Sequence, residues 1–228
     1  MKNFKQMLKS NKHSLVISLP VNDASLAQAA WQEGVDAVKV HINVEHRASG
    51  STFGSYAEEK EVLEQIISEA KGPCGIVAGV GLDAVSADYK NVIAAGFNFV
   101  SLYAHDMPIA LAQDDAILKM VAFDSSYDMA YLKHLEKANA DIFEASVMRP
   151  ESYGDSLSVK ELLIYANICE NTSLPVLVPT QRNVLPCEIS ALAACGVKAT
   201  MIGAIVMGRE EDGIRRAVAE FRNAIDKL

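Results

Sequence analysis

The chain has 228 residues, half of them hydrophobic and 22% charged, which is enough apolar material for a large core and excludes a disordered polymer. Its formal net charge of −8 argues against a nucleic-acid partner or an anionic membrane surface, since both select a basic face. An anionic small molecule in a locally positive pocket stays open. The start, MKNFKQMLKSNKH, has lysines but no apolar signal region, and no apolar run is long enough to span a bilayer, so a cytoplasmic protein is expected.

A short helix over residues 3–10 is expected first, capping the bottom of the domain. Eight short apolar runs then alternate with longer amphipathic ones. The apolar runs are SLVISLPV (14–21), AVKVHINV (37–44), CGIVAGVG (74–81), FNFVSLYA (97–104), KMVAFDS (119–125), DIFEASVM (141–148), PVLVPTQ (175–181) and ATMIGAIV (199–206). Most are rich in β-branched or aromatic residues, as buried parallel strands are. The segments between them read as helices. Ser55 and Glu58 have capping-box spacing, and Gly34, Gly72, Gly96 and Gly196 stand as stop signals. Eight β-α units predict an α/β fold, a single (β/α)8 barrel occupying residues 1–228 as one domain. A doubly wound sheet is the rival, but GVGLDA (79–84) lacks the third glycine of a nucleotide fingerprint.

In such a barrel the C-terminal ends of the strands form the active face. Alternation sends Lys39, His41 and Asn43 of the second strand inward, because Val38, Val40, Ile42 and Val44 must face the helices. The same reasoning turns Ser101, Tyr103 and His105 inward on the fourth strand, and Glu144, Ser146 and Met148 on the sixth. Asp124 ends the fifth strand and Ser18 the first. A lysine and a glutamate inside a barrel are costly unless paired or functional. Lys39 and Glu144 are therefore expected either to neutralise each other or to act as a proton-transfer pair, with His41 and Asp124 as further catalytic candidates. Asn43, Ser18, Ser101, Tyr103, His105, Ser146 and Arg149 are candidates for substrate contact.

No cofactor is expected. A divalent metal held by His41, His105, Asp124 and Glu144 has suitable ligand types but no compact motif. Asp106 and Arg182 are loop charges, read either as solvated or as substrate contacts. Cys74, Cys169, Cys187 and Cys195 lack C-x-x-C spacing and are expected to be buried, reduced thiols. His13 and His134 read as surface residues of helices, and Trp31 as core or interface. The loop EHRASGSTFGS (45–55) emerges above Lys39 and reads as a mobile lid, with a merely flexible loop as the alternative.

The segment LPVLVPTQRNVLPCEISALAACGVKATMIGAIVMG (174–208) resembles the end of the ribulose-phosphate-binding barrels, which include phosphosugar epimerases, thiamin-phosphate synthase and the indole-glycerol-phosphate enzymes. In that superfamily the turns after the last two strands hold a substrate phosphate on backbone amides. The resemblance carries that role onto Gly203 and Ala204. It departs at the seventh strand, where a glycine pair is replaced by Thr180 and Gln181, followed by Arg182. The stretch GVDAVKVHINV (34–44) is similar to the second strand of class I aldolases of the fructose- and tagatose-bisphosphate type, whose Schiff-base lysine lies on the sixth strand, where this chain has Glu144.

These observations imply an enzyme acting on a small phosphorylated metabolite, as a sugar-phosphate isomerase or epimerase, by proton transfer next to a carbonyl. Thr180, Gln181, Gly203 and Ala204 would bind the phosphate. A lyase of the class I aldolase kind and a non-catalytic metabolite-binding barrel are the alternatives. A homodimer is left open.

Overall fold

The structure, a computed structural model, describes residues 4–10 and 12–228. Each apolar run forms a strand, but most strands stop sooner than the apolar pattern does. They are β1 (Ser14–Ser18), β2 (Ala37–His41), β5 (Cys74–Val77), β6 (Phe99–Tyr103), β7 (Leu118–Ala122), β8 (Ile142–Glu144), β9 (Val176–Pro179) and β10 (Ala199–Ile202). They pair in parallel in that order, and β10 closes back onto β1. Two further strands, β3 (Val44–His46) and β4 (Ser51–Phe53), form an antiparallel hairpin where a loop was expected. The remaining apolar residues of the predicted runs serve the loops and short helices at the barrel mouth.

The helices cover the outside. Helix α1 (Phe4–Leu8) lies at the N-terminal end of the barrel; Asn3, the first residue of its predicted span, falls outside the described residues. Next come α2 (Ala24–Gln32), α3 (Tyr56–Ser68), α4 (Leu82–Ala95), α5 (Ile109–Ala112), α6 (Val159–Glu170), α7 (Ile189–Ala194), α8 (Ala204–Met207) and α9 (Glu211–Ile225). The capping box is present: Glu58 accepts the Ser55 amide at 2.7 Å. Gly34, Gly96 and Gly196 adopt the left-handed backbone expected of stops, with φ of 95°, 94° and 93°. Gly72 acts differently, because a Cβ there would meet the Asp36 carbonyl at 2.7 Å. The segment Met129–Ala138 is a 3-10 helix rather than an α-helix.

The strand register sorts the lumen into layers, each built from alternate strands. At the base lie Ala37, Phe99, Ile142 and Ala199, then Val16, Met120 and Leu177, all buried in one apolar cluster with Phe4 and Leu8. The rings of Phe4 and Phe99 stack at 4.5 Å. Gly75 makes room for this plug, since a Cβ there would fall 2.0 Å from the Phe99 ring. Outside the strands a larger apolar cluster joins sheet and helices, and Trp31 belongs to it.

Some expectations about individual residues need correction. His13 is not on a helix surface. It precedes β1, is buried, and bonds the Val197 carbonyl through Nδ1 and the Thr200 hydroxyl through Nε2. Of the four free cysteines only Cys74 is buried, and Cys187 is exposed, because the predicted helix around Cys187 begins with a 3-10 turn at the surface. Asp106 is not a solvated loop charge either: it is buried and accepts the Gly81 amide at 2.8 Å.

Candidate active site

Above the apolar base, the next layer contains Lys39, Ser101, Glu144 and Met201. Lys39 Nζ lies 3.4 Å from Glu144 Oε2, and the Ser101 hydroxyl donates to the same oxygen at 2.6 Å. All three polar side chains are buried. Glu144 Oε1 accepts no hydrogen bond among the described residues. The alternation of β2, β6 and β8 brings these groups together, as their spacing in the sequence implied.

This layer is the floor of a cavity of about 550 Å³ at the C-terminal mouth of the barrel. Ser18, His41, Tyr103, His105, Asp124, Ser146, Thr180, Gln181 and Gly203 line it with Lys39, Ser101 and Glu144. Most of the candidate site residues therefore share one space. Asn43, Arg149 and Ala204 do not line it. β2 ends at His41, and Asn43 takes a left-handed conformation (φ 51°) that turns its amide outward to Asp88 at 2.9 Å. Arg149 follows the end of β8 and is exposed. Ala204 opens α8, so only Gly203 and Ile205 of that turn reach the cavity.

His41 is fully buried, and burial, with His46 and Lys39 nearby, holds its pKa well below the usual histidine range. It is a neutral ring whose Nε2 meets the Ser18 hydroxyl at 3.3 Å and whose Nδ1 has no partner among the described residues. It bonds neither Lys39 nor Glu144, so the structure does not place it as a relay between them. It supports the hairpin instead: the rings of His46 and Phe53 pack on it at 4.5 and 4.7 Å.

One wall is a chain of hydroxyls and amides. The Tyr103 and Ser146 hydroxyls meet at 3.1 Å, and Gln181 Nε2 donates to Ser146 and to the Tyr153 hydroxyl. Gln181 Oε1 accepts the Met148 amide. The Gln181 side chain is thus occupied in holding this wall. Burial raises the Tyr103 pKa, so its hydroxyl stays protonated. His105 stacks on Tyr103 and meets the Tyr127 hydroxyl at 2.9 Å.

The metal set is not assembled. Asp124 is engaged with the amide and hydroxyl of Ser126, and Glu144 with Lys39 and Ser101. Among the described residues no three His, Cys, Asp or Glu side chains gather as ligands. Arg182 is withdrawn from the mouth into ion pairs with Asp155 and Glu161, at 3.0 and 2.8 Å. Thr180 Oγ1 accepts the Gly203 amide at 3.0 Å, tying the two strand ends together.

The hairpin contributes residues that sequence reasoning treated only as a lid. Glu45, His46, Arg47 and Ala48 line the cavity. The hairpin is tied down by Arg209, which donates to the Ser49 carbonyl at 3.0 Å and the Ser51 hydroxyl at 3.1 Å, and by Ser51, which donates to the Pro20 carbonyl at 2.7 Å.

No family model matches the chain, and no curated protein matches it in sequence. Solved structures do share its fold. Thiamine phosphate pyrophosphorylase from Pyrococcus furiosus is 18% identical with a TM-score of 0.67, the alignment covering 99% of this chain and 98% of that one. KGPDC from Streptococcus mutans is 13% identical with a TM-score of 0.68, covering 95% and 98%. Mycobacterium tuberculosis tryptophan synthase is 14% identical with a TM-score of 0.75, covering 97% and 96%. The carboxyl transferase domain of Rhizobium etli pyruvate carboxylase is 14% identical with a TM-score of 0.63, covering 99% of this chain and 49% of that one.

These likenesses establish the class: a closed (β/α)8 barrel, the fold of the ribulose-phosphate-binding barrels that the C-terminal segment resembles. They do not single out a member family, and the pyruvate carboxylase domain shows that the same fold serves different chemistry.

Proposed function

We propose that the chain is an enzyme acting on a small phosphorylated metabolite that contains a carbonyl, by proton transfer at the adjacent carbon. The observation that carries this reading is the Lys39–Glu144–Ser101 layer, a lysine and a carboxylate at the floor of a cavity able to hold such a molecule. Ser101 and Lys39 engage one oxygen of Glu144 and leave Oε1 without a partner among the described residues, which suits a general base aimed at substrate. The ammonium has three donors, and at 3.4 Å its link to Glu144 leaves donors for a substrate oxygen. In this reading Glu144 Oε1 takes the proton, Lys39 stabilises the enolate oxygen, and Glu144 returns the proton either to the same carbon or to the former carbonyl carbon, the hydroxyl proton of the first, hydroxyl-bearing carbon then passing to the former carbonyl oxygen. Return to the same carbon on its opposite face would need a second acid, a role that the protonated Tyr103 hydroxyl on the wall could fill.

The turn end formed by Thr180 and Gly203 is the proposed phosphate end. A phosphate there would take the Gly203 amide from Thr180. Thiamine phosphate pyrophosphorylase, a structural neighbour whose name includes a phosphorylated compound, supports this choice of substrate class. Isomerisation or epimerisation is the favoured outcome of the proton transfer.

The test is deuterium exchange. Small phosphorylated ketoses and aldoses are incubated with the protein in heavy water, and label next to the carbonyl is followed by NMR. Exchange is expected with at least one compound, and Glu144→Gln should slow it by about 10²–10⁴-fold. No exchange with any compound, despite ligand-induced thermal stabilisation, would favour the non-catalytic barrel.

A second reading rests on Lys39 being the one lysine that lines the cavity among the described residues. Its amine could attack a carbonyl and form a Schiff base, as in an aldolase. Borohydride reduction in the presence of substrate, with a mass increase mapped to Lys39, separates this route from simple enolate stabilisation.

A further inference from the structure

Two cationic side chains, Lys39 and Arg47, line the cavity among the described residues, against the carboxylates Glu45, Asp106, Asp124 and Glu144. A phosphate entering such a space needs a positive partner. Lys39 lies at the floor and is paired with Glu144. Arg182, the cation that the sequence offers at the end of β9, is held by Asp155 and Glu161 and turned away. Arg47 differs from both. It reaches the cavity from the β3–β4 hairpin, and its guanidinium has no hydrogen bond or ion pair among the described residues.

The hairpin's position gives that cation a direction. Arg209, which comes after β10 and α8, grips Ser49 and Ser51 at the hairpin turn. The hairpin turn is therefore tied to the segment that follows β10 and α8. Arg47 is also close enough to Tyr153 for its positive field to oppose the burial that raises that hydroxyl's pKa. Tyr153 is in turn bonded to Gln181 at the end of β9. The guanidinium thus shares the cavity with Thr180, Gln181 and Gly203 at the ends of β9 and β10, and its field reaches the Tyr153 hydroxyl.

We infer that Arg47 is the anion clamp of this site: its guanidinium binds the substrate phosphate from above, while the Thr180–Gly203 end holds it from below. A planar guanidinium suits two parallel bonds to phosphate oxygens. Charge lost from the β9 turn, where Arg182 is diverted, is supplied by the hairpin. The site is then complete only with the hairpin seated, and Arg209 is a positioning residue that seats it. This inference rests on the proposal of a phosphorylated substrate, but not on the proton-transfer step.

Orthophosphate binding tests it without any turnover. Calorimetric titration of the full chain should show binding of orthophosphate, weakened by about tenfold or more in Arg47→Ala and partly restored in Arg47→Lys. Arg209→Ala should weaken it to a lesser degree, and Glu144→Gln should leave it intact or tighten it. Unaltered affinity in Arg47→Ala would overturn the clamp, and so would an absence of orthophosphate binding by the native chain. Orthophosphate binding by the native chain that is weakened in Arg47→Ala, together with no deuterium exchange by the native chain, would retain the clamp and reject the proton-transfer chemistry.

Discussion

Below Lys39 the inward positions of the strands carry Val16, Ala37, Phe99, Met120, Ile142, Leu177 and Ala199, closed off by Phe4 and Leu8. From Lys39 upward the same alternating positions carry Lys39, Ser101 and Glu144, then Ser18, His41, Tyr103 and Ser146. One register and one set of strands thus produce a dry apolar base and a mouth in which polar and charged groups stand among apolar ones such as Val77, Ala122, Pro179 and Met201. Each large apolar side chain in the base contributes roughly 1.5–3 kcal/mol by leaving water. The polar layer gains nothing comparable, because a buried ion pair roughly balances its desolvation cost. The difference teaches that apolar packing and buried polar groups are segregated along the barrel axis, with the boundary at the Lys39 layer.

The sharpest break in this comparison comes at that boundary. Glu144→Gln is expected to reduce exchange by about 10²–10⁴-fold while keeping the fold. Lys39→Ala should also remove activity, and should destabilise by about 3–5 kcal/mol because it leaves Glu144 buried without its counter-charge. Denaturant unfolding and the exchange assay read the two effects separately. If Lys39→Ala lost activity only in proportion to unfolded protein, Lys39 would be structural.

Phe99→Ala should do the reverse. Removing this fully buried ring from above Phe4 is expected to cost about 3–5 kcal/mol, with exchange per folded molecule unchanged. Gly75→Ala overpacks the same place and should cost roughly 1–3 kcal/mol, since its Cβ would lie 2.0 Å from Phe99. Phe99→Leu should relieve that second substitution, and denaturation of the double variant checks the coupling.

A pH dependence is shared by the two ends. Burial lowers His13, at the base, and His46, in the hairpin, to pKa values of about 4 from the ordinary 6.5. The unfolded chain therefore binds these protons first as pH falls. The stabilisation is fully present above about 6.5, declines between about 6.5 and 4, and is gone below. Each histidine should contribute a slope on the order of 1 kcal/mol per pH unit within that window. Replacing His13 with Gln should flatten the denaturation midpoint against pH, leaving the shares due to His46 and His41.

Much of this was legible in the chain. The eight alternating runs specify the barrel, and the alternation of AVKVH, FVSLY and DIFEAS specifies Lys39, Ser101 and Glu144 as neighbours. Alternation is reliable only while a strand lasts. Asn43 lies beyond the end of β2, where a left-handed turn reverses its direction. Ala204 was read as strand but begins α8. His13 looked like a helix residue because nothing local distinguishes a barrel-base histidine from an exposed one; its partners, Val197 and Thr200, lie far along the chain. Arg47 escaped for a related reason. Its importance depends on Arg182 being diverted by Glu161 and on Arg209 holding the hairpin, and both are contacts between distant segments.

If the polar layer exists for chemistry and the apolar base for stability, the boundary layer can be turned into more base without loss of the fold. A double variant, Lys39→Met with Glu144→Met, makes that conversion and is the most direct test. Its unfolding free energy is expected within about 2 kcal/mol of the native protein or above it, together with loss of deuterium exchange. Retained exchange in that variant would contradict the division of roles.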